Sequence, residues 1–160
     1  MPSRPLAVFD VDGVLADVRH RLHHVEHRPK DWDAFFAAAP DDPPLAAGIA
    51  LVRHSAQDCE VVYVTGRPER CRADTLAWFE RNGLPTGELS MRSSRDRRPA
   101  RIAKPELLRR LAAGRVVAVV VDDDLAVCRA YERDGFPVIH AEWMGSEPAL
   151  QQAQQDEGRT

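Results

Sequence analysis

The stretch Leu6-Ala7-Val8-Phe9-Asp10-Val11-Asp12-Gly13-Val14-Leu15-Ala16-Asp17 is an apolar run that stops at two aspartates one residue apart, followed at once by glycine. Along a strand successive side chains alternate in direction, so residues two apart look the same way, and a glycine turn at the strand end lets Asp10 and Asp12 converge. Two carboxylates that close repel each other. A shared proton or a cation must relieve them, and a hard divalent ion with oxygen ligands is the natural partner. A bare Asp-x-Asp is also what an acidic turn after a strand looks like; the full string is far more specific.

The chain around it has 160 residues, 44% of them hydrophobic, the size of one ordinary domain with a core of its own. The boundaries expected are one domain over residues 1–145, with a small insert at about 17–44, and a polar C-terminal tail over 146–160. A formal charge of −3 offers no global attraction to nucleic acid or to an anionic membrane, although a local patch can still supply it. The longest apolar stretch, Val116 to Val121, is too short to span a bilayer, and Met1 to Pro5 does not read as a signal peptide. A cytosolic protein with no membrane partner is expected. Cys59, Cys71 and Cys128 are odd in number and widely spaced, which argues for reduced thiols rather than a disulfide framework.

Outward from the first strand, Asp17 to about Glu26 and Lys30 to Ala39 read as helices, the second with Trp32, Phe35 and Phe36 on its apolar side. His20, His23, His24 and His27 fall at helical spacings that a zinc site also uses, but no cysteine or carboxylate motif completes one. The ordinary reading is a solvated face lining the cleft, with His20 or His24 in reach of a substrate. After the breaker Asp41-Asp42-Pro43-Pro44 a helix is expected from Leu45 to Ala56, and then a buried strand, Glu60 to Val64, that ends in Thr65-Gly66-Arg67-Pro68. Pro68 suits the first turn of a helix running to Asn82-Gly83. A hydroxyl and backbone N–H groups between a strand end and a helix start make an anion cradle.

Gly87 to Met91 reads as a short third strand. From Arg92 to Arg110 there are eight cations against two acids, so the positive charge of this acidic chain is concentrated in one loop and the helix that follows it, expected over Glu106 to Ala113. A solvated arginine-rich loop and a phosphate-binding patch both fit that composition. Arg115 to Val121 is the most apolar strand, with continuous valine of the kind found in strands buried on both faces, and it ends in Asp122-Asp123-Asp124. Three consecutive acids there call for a cation; Asp122 is the preferred ligand, Asp123 the second choice, and Asp124 the cap of a helix from Leu125 to Arg133. Phe136 to His140 reads as the fifth strand. Strands alternating with helices argue an α/β fold, a doubly wound parallel sheet.

The four motifs in this order resemble those of the haloacid-dehalogenase-like phosphohydrolases, over about Leu6 to Trp143. The resemblance implies a Rossmann-like five-stranded sheet of order 3-2-1-4-5 with a minimal helical cap. It also implies a magnesium-dependent phosphatase in which Asp10 is the nucleophile that becomes an aspartyl-phosphate and Asp12 the general acid/base. Thr65 would hold the transferring phosphoryl group, Lys104 would offset its charge, and Asp10, Asp12, Asp122 and Asp123 would form the metal site. Within that superfamily Phe9 to Ala16, Thr65-Gly66-Arg67 and Asp122-Asp123 through Tyr131 to Gly135 are most similar to the 3′-phosphatase domain of phage-type polynucleotide kinase/phosphatases. No Gly-x-x-x-x-Gly-Lys-Ser/Thr stretch is present, so the kinase half is absent from this sequence. The small insert suggests an open cleft able to take a nucleic-acid 3′ end, read by Gly66, Arg67, Arg95 and Arg98. A phosphatase of small metabolites or nucleotides competes with that reading, and a non-catalytic phospho-ligand module is a third.

Overall fold

The computed structural model describes residues 2–160. Five strands, β1 (Leu6–Phe9), β2 (Glu60–Pro68), β3 (Leu89–Arg92), β4 (Val117–Asp122) and β5 (Val138–His140), form one sheet of order β3-β2-β1-β4-β5 in which every pairing is parallel. This is the expected doubly wound α/β sheet. The helices are α1 (His23–Glu26), α2 (Trp32–Ala37), α3 (Ala46–Ser55), α4 (Arg72–Arg81), α5 (Ala100–Leu111), α6 (Leu125–Arg133) and α7 (Pro148–Gln151).

Both faces of the sheet are covered, and β1 shows why its sequence is apolar without a gap. Ala7 and Phe9 join one core with Val61, Tyr63 and Val121, while Leu6 and Val8 join the other with Val62, Val64, Val120 and, from α5 and α6, Leu108, Val127 and Tyr131. A strand with two buried faces cannot alternate apolar with polar. Each such aliphatic side chain stabilises the fold by about 1.5–3 kcal/mol, so a charge at Val8 would be ruinous. In β4 only the last half is fully buried: Val120, Val121 and Asp122 are, whereas Val117 and Val119 are partly open.

The chain order turns between β1 and β4, so the C-terminal ends of those two strands flank the crevice where such sheets bind ligands. Phe9 pairs with Val121 there, which sets Asp10 beside Asp122. The turn after β1 is closed by Gly13 N–H donating to the Ala16 carbonyl at 3.0 Å, with Gly13 at φ +80°. A Cβ at Gly13 would also lie 2.4 Å from Asp123 Oδ2, so only glycine lets this turn approach the second acid after β4.

Two expected helix starts are corrected. The helix carrying Lys104 begins at Ala100, not Glu106, because Ala100, Ala103, Lys104 and Leu108 form one buried stripe and Pro105 is accommodated inside the helix. The helix after β2 is preceded by a 3-10 turn, Glu69–Cys71, so Thr65 does not stand directly at a helix N-terminus. Residues 146–160, polar by composition, carry α7, which continues into a π-helical turn, Gln152–Asp156, with Leu150 and Ala153 buried.

Candidate active site

The strand ends deliver two adjoining groups of charges. In the first, one carboxylate oxygen from each of Asp10, Asp122 and Asp123 lies within 4.8 Å of the others. Lys104 Nζ, sent in from α5, stands 2.9 Å from Asp10 Oδ2 and 2.8 Å from Asp122 Oδ2. Three carboxylates thus face one ammonium, an excess of two negative charges. The strain shows in their proton affinities: burial pushes Asp10 up despite Lys104, while Asp122 is raised to about 7 by burial and then by the Asp10 charge. Asp123 goes well above the usual range for the same reasons, with Asp122 adding to them. Burial works against the Lys104 ammonium, but Asp10 and Asp122 outweigh it and hold the proton on.

A divalent cation fits this cluster. Asp123 Oδ1 is buried without a hydrogen-bond partner, which is costly unless something else satisfies it, and Asp10 Oδ2 has only the Lys104 ammonium beside it. The donors are all hard oxygens, the set magnesium takes, and its charge cancels the excess. Asp122 is less free than expected, since Oδ2 accepts from Lys104 and Oδ1 from the Asp124 N–H at 2.9 Å. The unpartnered atom belongs to Asp123, and both acids lie in the cluster with Asp10. Asp124 caps α6 as expected, its side chain accepting from the Ala126 and Val127 N–H groups.

Asp12 belongs to the second group and lies outside the oxygen cluster, so it is not placed as a metal-binding carboxylate. Its Oδ1 accepts from Arg67 Nη2 at 2.6 Å, Arg67 Nε at 2.9 Å and Arg21 Nη2 at 3.1 Å. Asp42 completes the group: it accepts from both arginines, from Arg21 Nε at 2.8 Å and from Arg67 Nη2 at 3.0 Å, and lies 2.6 Å from His20 Nε2. Two buried guanidiniums against two buried carboxylates leave it neutral. Burial opposes the charge on Asp12, yet Arg67 and Arg21 prevail and keep its carboxyl well below the usual range. Arg67 is therefore fully buried in holding Asp12, not laid open along the cleft.

Thr65 is buried at the end of β2, its Oγ1 accepting from the Arg67 N–H at 3.2 Å. Gly66 packs directly against Thr160: a Cβ there would lie 2.1 Å from the Thr160 carbonyl carbon. The Thr160 hydroxyl donates to Asp12 Oδ2 at 2.7 Å. Asp10 and Asp12 are only 3% and 1% exposed, so the open cleft expected from the small insert is in fact covered by the segment that ends on Thr160.

Of the two loop arginines named from sequence, Arg98 is turned onto acids, meeting Asp96 Oδ2 at 2.8 Å and Glu106 Oε2 at 2.8 Å, and Arg95 is exposed. Arg97, not singled out, lines the neighbouring cavity. Arg92 is buried, donating to the Gly66 carbonyl at 3.0 Å and to the Arg98 carbonyl at 2.6 Å. The sequence reading also missed Arg21, Asp42 and Thr160. Only Arg21 left a signal: it shares a helical face with Val18, Leu22 and Val25, where a charge is out of place. The histidines gather no metal-binding cluster among the described residues.

Comparison with known proteins agrees with this geometry. The model of the family described as the polynucleotide kinase PNKP phosphatase domain matches residues 5–142. Two solved structures of the Pnkp1/Rnl/Hen1 complex, one of them described as an RNA repair complex, superpose with TM-scores of 0.72 and 0.74 at 20% and 22% identity. These cover 86% and 91% of this chain but 42% and 48% of theirs, so the chain spans less than half the length of those proteins. A class C acid phosphatase from Bacillus anthracis with tungstate bound superposes with a TM-score of 0.64 at 14% identity, covering 96% of this chain and 78% of that one. A search of the curated proteins found no match. With the family matched over most of its length and the sheet order, acid cluster and buried lysine in place, the chain belongs to the PNKP phosphatase domains of the haloacid-dehalogenase-like hydrolases.

Proposed function

We propose that the protein is a magnesium-dependent phosphomonoesterase that works through an aspartyl-phosphate on Asp10 and removes the 3′-phosphate of nucleic-acid ends. The observation that carries the reading is the acid cluster: Asp10 at one strand end gathered with Asp122 and the buried, unpartnered Asp123 Oδ1 at another, beside a second carboxylate, Asp12, that two guanidiniums hold separately. Asp10, Asp122 and Asp123 would hold the ion, which when bound offsets the charge of nucleophile and phosphate.

The chain's own residues supply the rest. An Asp10 carboxylate oxygen attacks phosphorus, the bond to the leaving oxygen breaks, and Lys104 screens the charge that builds up between them. Asp12 is ionised at rest because Arg67 and Arg21 hold it so. A phosphate dianion arriving beside it raises its proton affinity, so it can carry the proton that the leaving oxygen needs and then take one from the water that opens the acyl phosphate. With Oδ1 occupied by the guanidiniums, Oδ2 is the oxygen that does this. Thr65 would donate its hydroxyl to the phosphoryl group, its Oγ1 already accepting from the Arg67 N–H.

The substrate class rests on the family match and on the cations Arg70 and Arg97 beside the cleft. The test is turnover, in magnesium and in chelator, of 3′-phosphorylated oligonucleotide, the 5′-phosphorylated isomer, a 3′-mononucleotide and glycerol 2-phosphate at matched concentration. A preference for the first supports the reading. Equal rates for all four favour a small-metabolite phosphatase.

A further inference from the structure

Residues 158–160 lie against the site. Thr160 presents an alcohol to Asp12 Oδ2 at 2.7 Å, the contact that the alcohol product of a phosphomonoester would make with the general acid/base. Its backbone fills the space over Gly66. Gly158, at φ +58°, presses on the loop, where a Cβ would lie 2.1 Å from the Arg97 carbonyl oxygen. Between them Arg159 lays its guanidinium 4.9 Å from the centre of the Trp32 ring. A cavity of about 660 Å³ opens at this point, walled by Trp32, Asp33, Arg70, Ser94, Arg97 and Arg159.

The geometry points to a base-stacking subsite on Trp32 for the nucleoside that carries the scissile phosphate, held in this structure by Arg159 of the chain itself. The inference rests on the nucleic-acid reading above and adds where the leaving group lies. A planar guanidinium on an indole face is the nearest thing a peptide offers to a stacked base. The path from Asp12 past Gly66 to Trp32 is that of an alcohol followed by a flat group, which is a nucleoside with its hydroxyl at the acid/base. Arg159 is poorly placed electrostatically: burial and then Arg97 lower its pKa, with Arg70 acting in the same sense. A polyanionic strand would relieve that repulsion as it displaced the segment, while Arg97, and Arg70 from its pair with Asp33 at 3.0 Å, remained to meet its phosphates.

The test uses the 160-residue protein in magnesium, with kcat/KM measured on a 3′-phosphorylated oligonucleotide, on the same strand with an abasic terminal nucleotide, and on glycerol 2-phosphate. Wild type is expected to prefer the intact strand over the abasic one by roughly five- to a hundredfold, the range of one base–aromatic stack. Trp32→Ala should abolish that preference and Trp32→Phe should keep most of it, while Arg159→Ala should lower KM for the intact strand severalfold. Intact and abasic strands cleaved alike by wild type, both far better than glycerol 2-phosphate, would overturn the subsite and spare the nucleic-acid reading; that comparison needs no variant to fold. A base preference that survives in Trp32→Ala would overturn it as well. Glycerol 2-phosphate cleaved as well as the intact strand would overturn both.

Discussion

Arg67 Nη2 stands 2.6 Å from Asp12 Oδ1, a buried pair that ties the end of β2 to the turn after β1. Because the same guanidinium also reaches Asp42 Oδ2 at 3.0 Å and Thr75 Oγ1 at 3.1 Å, its position is fixed by three elements at once. Arg67→Lys keeps the charge and loses the planar fork. Asp12, now held less firmly, should move back up toward the ordinary carboxylate range. The ionised form is needed to activate water, so the acid limb of the kcat–pH profile should shift to higher pH. An unmoved limb would separate Arg67 from the protonation of Asp12.

Asp12→Asn leaves the shape of the site and removes the proton-transfer group. Turnover should fall by roughly two to four orders of magnitude with substrate affinity retained. Equilibrium binding of a 3′-phosphorylated oligonucleotide alongside single-turnover rates checks this, and a rate within a few-fold of wild type would take Asp12 out of its role.

The acid cluster makes a pH prediction for stability. Asp122 is pushed up to about 7 in the folded protein from an ordinary value of 3.8, and Asp10 and Asp123 are raised too. A group whose folded pKa is raised contributes its stability below the unfolded value and loses it as pH rises through the folded one. In chelator, Tm should therefore fall between about pH 4 and pH 7, and the gain in Tm on adding magnesium should widen over the same window. A gain that is flat or narrows with pH would mean that these carboxylates do not share a cation.

Lys104→Met removes the cation that, among the described residues, pairs with Asp10 and Asp122. Stranding buried charges costs about 3–5 kcal/mol, on the order of 10 °C in Tm for a chain of this length. The loss should be large in chelator and smaller with magnesium, as calorimetry under both conditions would show; an equal loss in both would contradict a shared cluster.

What the sequence revealed was local and buried. A strand with two covered faces must be apolar throughout, and acids at its end stand out, so β1, β4 and the meeting of Asp10 with Asp122-Asp123 were legible, as was Asp124 at the cap of α6. Pairings across the chain were not. Thr160 meets Asp12 from 148 residues away, and Asp42 meets Arg67 from 25, with no periodicity to announce either. The start of α5 was obscured because Pro105 reads as a helix opening, whereas the buried stripe of Ala100, Ala103, Lys104 and Leu108 decides. The neutralisation of Arg98 by Asp96 and Glu106 was within reach, since both acids lie within eight residues. Composition alone counted the charges and could not say which were already paired.

The account stands on Asp10 as the nucleophile. The direct measurement is the rate at which Asp10→Asn, with wild-type fold confirmed by circular dichroism, releases phosphate from a 3′-phosphorylated oligonucleotide in magnesium. Loss of the attacking carboxylate should lower kcat by roughly four orders of magnitude or more, as loss of a covalent nucleophile does elsewhere. Phosphate release by Asp10→Asn within about tenfold of wild type, a loss of only about 1.4 kcal/mol in barrier, would contradict it.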